Sequence, residues 1–579
     1  MLISLIAWIY ISIVCLIWGH MSLSAIVKGP GASLPPSSGL PPDASSPSFN
    51  TGLLCLAGLA LISTLALGLS LFMPLDWKAH ALVLLPAAIY CTRSSNRQTI
   101  GKQITDTTQR LSRPGILLLI VCIAMTATIS AHDIIHPDTM YYHARSILLF
   151  DRYKVIPGIA NLRNELGFQC SWFASLSLFK TNAPGYYNII FLNGAVLCWY
   201  FLFIAEKIST KGWPWLLLFA YTLFSWTQIR LTAASPSPDF IVSLYSWAAI
   251  YAFLQKKDKA PLHPAWLSLV VLFCIAAVLT KLSPIAILPL AVIALLRSLR
   301  LRSARILGVY SFLALIILFI RNRIASGYLL YPLPQPDLFD LPWKLSLSSI
   351  THFQQYISLY ARFPILHPGT IMPLQSPFTQ WVPRWWEHID TIDRLLLLAI
   401  LVGIALNGIL LFLPSRRKRS NAPANGSTLV LLITLAGSLI WFIGAPSPRF
   451  GTGFLVPLLF LLYQRLPLPG STTRIPFSGP AALTAKIPVF LLATACITAA
   501  IAAYTGYRVA RFSTPRQLLV PAGIISNAYR PLGCDNISVD LLNNKMEIKG
   551  KGTISCADPT GGFTPIGTTI AEGFKPPSD

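Results

Sequence analysis

The stretch RPGILLLIVCIAMTATISAHDIIHPDTMYYHARSILLF, residues 113–150, decides the fold class. Residues 114–131 form a nearly pure apolar run, about the length needed to cross a roughly 30 Å hydrocarbon layer. The run reads as a transmembrane helix. Just beyond it, His136, Asp138, Tyr141, Tyr142, His143 and Arg145 stand at the edge of that span, as the start of an extramembrane loop.

The rest of the chain repeats the pattern. Hydrophobic residues make up 54% of it and charged residues 11%, against about 25% charged in an ordinary soluble domain. That excludes a soluble enzyme. Further apolar runs predict helices over about 2–26, 52–74, 78–92, 114–131, 186–205, 213–229, 240–254, 265–279, 283–296, 306–320, 394–414, 427–444, 450–464 and 487–505. No heptad or longer repeat is evident. The expected fold is an all-α polytopic membrane protein of about 14 transmembrane helices. The first run lacks a basic leader and a small-residue cleavage site, so it is read as a retained helix and not a signal peptide.

A net charge of +24 invites a nucleic-acid reading, but the charge distribution argues against one. The clusters Arg93/Arg97/Lys102/Arg110/Arg113, Lys256/Lys257/Lys259, Arg297/Arg300/Arg302/Arg305 and Arg416/Arg417/Lys418/Arg419 fall on alternate loops. Loops on that side hold about 22 of the Lys and Arg residues but only about 4 of the acids, the positive-inside pattern. Segments 132–185, 230–239, 321–393 and 506–579, with Arg449, then face outward. The expected location is a bacterial inner membrane, with the large loops and the C-terminal segment in the periplasm.

Four parts result: membrane helices in 1–131 with a Pro/Ser-rich linker at 27–51; a first outer loop, 132–185; a bundle, 186–505, interrupted by the outer loop 321–393; and a periplasmic segment, 506–579. The stripe Tyr141, Ala144, Leu148 predicts an interfacial helix lying on the membrane surface, with Asp138, Tyr142 and Arg145 on a second face. Loop 321–393 carries Arg321, Arg323, Trp343, Arg362, Trp381, Trp385 and Trp386, which suit an interfacial belt or a sugar platform. ISVDLL and MEIKGKGTISC alternate like short strands, so a small β-rich appendage is expected. Cys534 and Cys556 lie in that outer segment and are expected to form a disulfide in an oxidising compartment.

Few residues are positioned to do chemistry. Asp138 stands before a predicted helix, either as an N-cap or as a general base taking a proton from an acceptor hydroxyl. Asp239, in SPSPDF, repeats that choice. Lys281, in LTKLSP, needs an anion or a water-filled cavity unless it snorkels. Arg449, in the short turn GAPSPRFG, is placed to grip a phosphate or to anchor at the interface. Tyr142, His143 and Arg145 are candidate substrate-binding residues one to two turns beyond Asp138. No spacing suggests a transition-metal site.

HPDTMYYH, SPSPD and SPRFG together resemble the GT-C class of integral membrane glycosyltransferases, in which a first outer loop bears a catalytic acid near the membrane surface. The stretch from HPDTMYYH to QCSWF, with AEGF near the end, resembles a bacterial family of large GT-C-like polytopic proteins of mostly unknown function. The resemblance implies transfer of a sugar from a polyprenyl-phosphate-linked donor to a glycan, lipid or protein acceptor on the outer side. It makes Asp138 the base, with Arg449 or Lys281 on the donor phosphate. The best-studied members often carry a paired acid in that loop, whereas Asp138 precedes Thr139, which leaves a divalent cation an open cofactor. A polysaccharide polymerase or ligase, and a transporter or flippase of lipid-linked glycans, are the alternatives.

Overall fold

In the computed structural model, the described residues are 1–28, 49–132, 136, 138–183, 186–255, 262–363, 377–412, 425–464, 487–521, 532–534, 537–540, 545–548, 564–566 and 569–576. The chain runs through α1 (Leu2–Lys28), α2 (Thr51–Leu69), α3 (Trp77–Thr92), α4 (Ser94–Gln109) and α5 (Arg113–Ala131) into the first large loop. That loop holds a π-helical turn, Thr139–His143, then α6 (Ala144–Arg152), α7 (Ile159–Leu162) and α8 (Ser171–Leu178). Next come α9 (Phe191–Lys211), α10 (Trp213–Phe224), α11 (Leu231–Ala233), α12 (Asp239–Leu254), α13 (Pro264–Thr280), α14 (Leu288–Leu296) and α15 (Arg302–Ser326). The remainder contains α16 (Leu347–Arg362), α17 (Phe378–His388), α18 (Thr391–Phe412), α19 (Asn425–Gly444), α20 (Pro448–Gln464), α21 (Ile487–Phe512) and α22 (Pro515–Leu519).

Eight of the described helices are long and apolar enough to cross a membrane, and four shorter apolar helices accompany them. The molecule is therefore a helical, multi-pass membrane protein. α13 lies at its centre: Val270, Val271, Leu272, Phe273 and Cys274 are fully buried, because α12, α14, α15 and α2 pack around it. Glycine sets one close crossing. A Cβ at Gly58 would meet the Cys15 carbonyl and one at Gly19 the Leu54 carbonyl, so α1 and α2 touch backbone to backbone, as small residues allow between membrane helices.

The bundle has two chemically different ends. At the first, the site end, the start of α12, the end of α13 and the start of α20 converge through Asp239, Lys281 and Arg449. At the other, the basic end, the start of α2 and the ends of α4 and α9 meet. Asn50 donates to Glu206 Oε2 at 2.5 Å, and Arg110 lies 3.6 Å from the same oxygen.

The first loop is a packed layer across the site end, which corrects the expectation of a helix lying on a membrane surface. Ala144, Ile147, Leu148 and Phe150 of α6 are all buried, and α6 packs on α8. Arg321 likewise leaves the predicted outer loop: it sits in α15 and is buried. Its guanidinium donates to Gln169 Oε1 at 2.6 and 3.0 Å and to Ser70 Oγ at 2.6 Å, tying the loop to α15 and α2. It is a structural clamp and not part of an interfacial belt. The basic segment after α3 contains a helix, α4, that the apolar-run criterion does not detect.

The C-terminal segment is strand-bearing, with antiparallel pairing of Leu532–Cys534, Ile537–Asp540 and Lys545–Ile548. Thr564–Pro565 pairs with Phe574–Lys575. The AEGF stretch folds back onto the first loop: Phe574 is fully buried, its N–H donates to Pro157 O at 3.0 Å, and Asn161 Nδ2 donates to its carbonyl at 3.3 Å. The linker at 29–48 and Cys556, hence the expected disulfide with Cys534, lie outside the described residues.

Candidate functional site

Asp138 stands at the N-cap position of its turn and does not cap, and Asp239 stands one residue past the N-cap, Pro238. Asp138 precedes the π-helical turn with no side-chain capping bond. Asp239 is the first residue of α12. Both carboxylates turn toward Arg449 at the start of α20: Asp138 Oδ2 lies 3.5 Å from Nη2 and Asp239 Oδ2 lies 3.6 Å from Nε. Lys281, just past the end of α13, donates to Asp239 Oδ1 at 2.8 Å. Residues more than 300 positions apart thus form one polar cluster, with the alternation acid, arginine, acid, lysine.

His136 completes the cluster and is absent from the candidate residues that the sequence alone marks out. Arg449 Nη1 donates to its Nε2 at 3.0 Å. Its Nδ1 lies 3.1 Å from the Asp138 backbone N–H and 3.8 Å from Asp138 Oδ2, so both ring nitrogens face N–H donors. Burial holds His136 below the usual histidine range; the Asp138 carboxylate works in the opposite direction. The HPD tripeptide is the signal in the sequence: a histidine two residues before the acid reaches the same partner. Phe450 is the second addition, its ring lying 3.6 Å from Lys281 Nζ and 4.8 Å from the Arg449 guanidinium.

The other predicted site residues form a supporting layer. Tyr142 and His143 pack edge to face, with ring centroids 4.3 Å apart, and His143 also stacks near His136 and Phe173. Burial drives the His143 ring well below its ordinary range and the Tyr142 phenol well above its own, the latter helped by the Asp138 and Asp239 carboxylates. Arg145 donates to the Tyr141 carbonyl at 3.0 Å and is buried. The π-helical turn explains the rearrangement. It adds a residue to the turn, so the 3.6-residue spacing that aligned Asp138, Tyr142 and Arg145 does not apply. Tyr141 leaves the apolar stripe and is half exposed beneath the Arg163 guanidinium, 3.4 Å from its ring.

The cluster is nearly charge-balanced, with two carboxylates against one guanidinium and one ammonium. A divalent cation does not fit it, since each carboxylate already faces a cationic side chain. The cluster opens unevenly: the Lys281 and Asp138 side chains retain 32% and 26% exposure against 11% for Asp239 and 13% for Arg449. A small cavity lies beside Asp239, Lys281 and Arg449.

The family model described as a domain of unknown function (DUF8201) matches residues 1–456. No curated protein and no solved structure matches the chain.

Proposed function

The chain belongs to the DUF8201 family, and we propose that it is a membrane glycosyltransferase that moves a sugar from a polyprenyl-phosphate-linked donor to an acceptor on the periplasmic side. The observation that carries this reading is the pair of helix-start carboxylates that both face Arg449, Asp138 without a capping bond to its own turn. A structural acid at a helix start satisfies orphan amides; these two hold a cation.

The ion pairs supply a mechanism by exchange. A donor phosphate entering beside Lys281 and Arg449 competes for their donors, since a guanidinium grips phosphate with parallel hydrogen bonds. Arg449 then loosens its hold on Asp138, the more exposed carboxylate. Asp138 takes the proton of an acceptor hydroxyl as that oxygen bonds to the anomeric carbon. The bond from that carbon to the phosphate oxygen breaks, and the electron pair leaves with the polyprenyl phosphate, where the two cations stabilise it. His136 keeps Arg449 in position, its Nε2 lying 3.0 Å from the guanidinium.

The test is sugar transfer in membranes supplied with a polyprenyl-phosphate-linked donor. Asp138→Asn is nearly isosteric, and its transfer rate should fall by about 10²–10⁴-fold, the usual worth of a general base. Undiminished transfer by an Asp138→Asn protein of equal abundance removes the proposal. Arg449→Lys keeps the charge but loses the planar fork, and should weaken donor binding more than it slows the bound reaction.

A further inference from the structure

A second cavity lies on the basic-end side of the bundle, apart from the polar cluster. It is an open groove between α9, α10, α12 and α20, lined by Trp199, Phe203, Trp215, Trp247, Tyr251 and Phe460 among other apolar residues. It does not continue into the Asp239 cavity, because α12 and α20 close on each other between the two. Ser243 Oγ and Thr452 Oγ1 share a 2.7 Å hydrogen bond, Trp247 Nε1 donates to Thr452 O at 2.9 Å, and Gly453 sits tightly against Ser246.

Charge marks its other end. Lys207 Nζ lies 5.0 Å from the Phe203 ring and 5.4 Å from the Tyr251 ring, both of which line the groove. Lys211 follows one turn later as the last residue of α9. Glu206 is the nearby acid, and it serves Lys207 at 2.9 Å, Arg110 at 3.6 Å and Asn50 together. Among the described residues at this end, Lys207, Lys211 and Arg110 outnumber the acid Glu206.

We propose that the groove binds an anionic glycerophospholipid of the leaflet at the basic end, with an acyl chain among the aromatic residues and its phosphodiester between Lys207 and Lys211. A phosphate drawn to this mouth has its apolar chain directed along the groove toward the middle of the bilayer. The lipid wedges α9 and α10 against α12 and α20. The polyprenyl tail of a donor held at Arg449 is kept out by the Ser243–Thr452 contact, so this is a separate site.

The experiment is native mass spectrometry of the full-length protein equilibrated with equal amounts of phosphatidylglycerol and phosphatidylcholine. Wild type should retain phosphatidylglycerol about fivefold over phosphatidylcholine, the effect of roughly one lysine at an anionic headgroup. Lys211→Glu, at a half-exposed helix end, should erase that preference, and Ala248→Trp, which fills the groove, should lower the count of retained lipids by one. Equal retention of both lipids by wild type overturns the proposal, as does an unchanged lipid count in Ala248→Trp. Displacement of the phospholipid by undecaprenyl phosphate in wild type but not in Arg449→Ala assigns the groove to the donor tail and overturns it too.

Discussion

At the residue scale the cluster depends on a protonation state. Arg449 can donate to His136 Nε2 only while that nitrogen is bare, so a second proton on the ring sets two cations 3.0 Å apart. Burial lowers the His136 value relative to an unfolded histidine near 6.5. The folded state therefore binds the proton less readily than the unfolded state. The contribution is complete above about pH 6.5 and is lost as pH falls from there toward the lowered folded value. Transfer activity of the folded protein should decline further down, as pH falls through the lowered His136 value. His136→Gln retains an acceptor for Arg449 without a titrating group. Its pH–rate profile should lose this acid limb while activity at neutral pH stays within about tenfold of wild type, and a profile with the limb unchanged would exclude His136 as its source. Residue type and helix-end position are enough to pick Asp138, Asp239, Lys281 and Arg449 out of the sequence. They offer no means of pairing them, because contact between positions 138 and 449 is a property of packing. His136 carries no comparable mark, since a histidine beside proline has several ordinary uses.

At the element scale the first loop is held by parts far away in the chain. AEGF contributes a 3-10 turn, Ile570–Glu572, with a capping box in which the Thr569 N–H donates to Glu572 Oε2 at 2.7 Å. Gly573 follows at φ 99°, a left-handed value that a Cβ-bearing residue adopts at a cost, and a Cβ there would also press on Pro157. Phe574 then enters the cluster of Leu148, Ile156, Ile159 and Leu162. Phe574→Ala should cost about 3–5 kcal/mol of docking stability, read as faster hydrogen exchange at 155–162. Gly573→Ala should loosen the same segment with the phenyl group intact. Exchange at 155–162 unchanged in both variants would mean that the loop stands without this tail. The periodic pattern locates α6 but misjudges its surroundings. An amphipathic stripe reports that one face is covered, and either a membrane surface or a protein layer satisfies that. The π-helical turn at Thr139–His143 leaves no trace that a 3.6-residue template detects. α4 escapes an apolar-run search because its sequence is polar, and it is held by its contacts to α2 and by the Arg110 bond to Phe49 O at 2.8 Å.

At the scale of the whole molecule, hydropathy and loop charge make the fold class legible, since a helix in hydrocarbon must be apolar around most of its circumference. The limit is length. α12 and α13 are short of a full span, yet they form the middle of the bundle, where neighbouring helices replace lipid and the apolar run need not match the bilayer. Orientation is the claim that the charge pattern makes most directly. Cationic loops resist translocation, so the end with Arg93, Arg97, Lys102 and Arg110 should lie in the cytoplasm and the cluster of Arg449, Asp138 and Asp239 outside. Two introduced cysteines test this in spheroplasts with a membrane-impermeant maleimide. Leu338 is 64% exposed in the segment between α15 and α16 at the site end, and Gly101 lies on α4 with open space where a Cβ would be. Leu338→Cys should label before lysis and Gly101→Cys only after it, each measured above the signal of the native cysteines. The reverse order would put the acid cluster in the cytoplasm, where an acceptor for periplasmic transfer is absent, and would force a different substrate on the same chemistry.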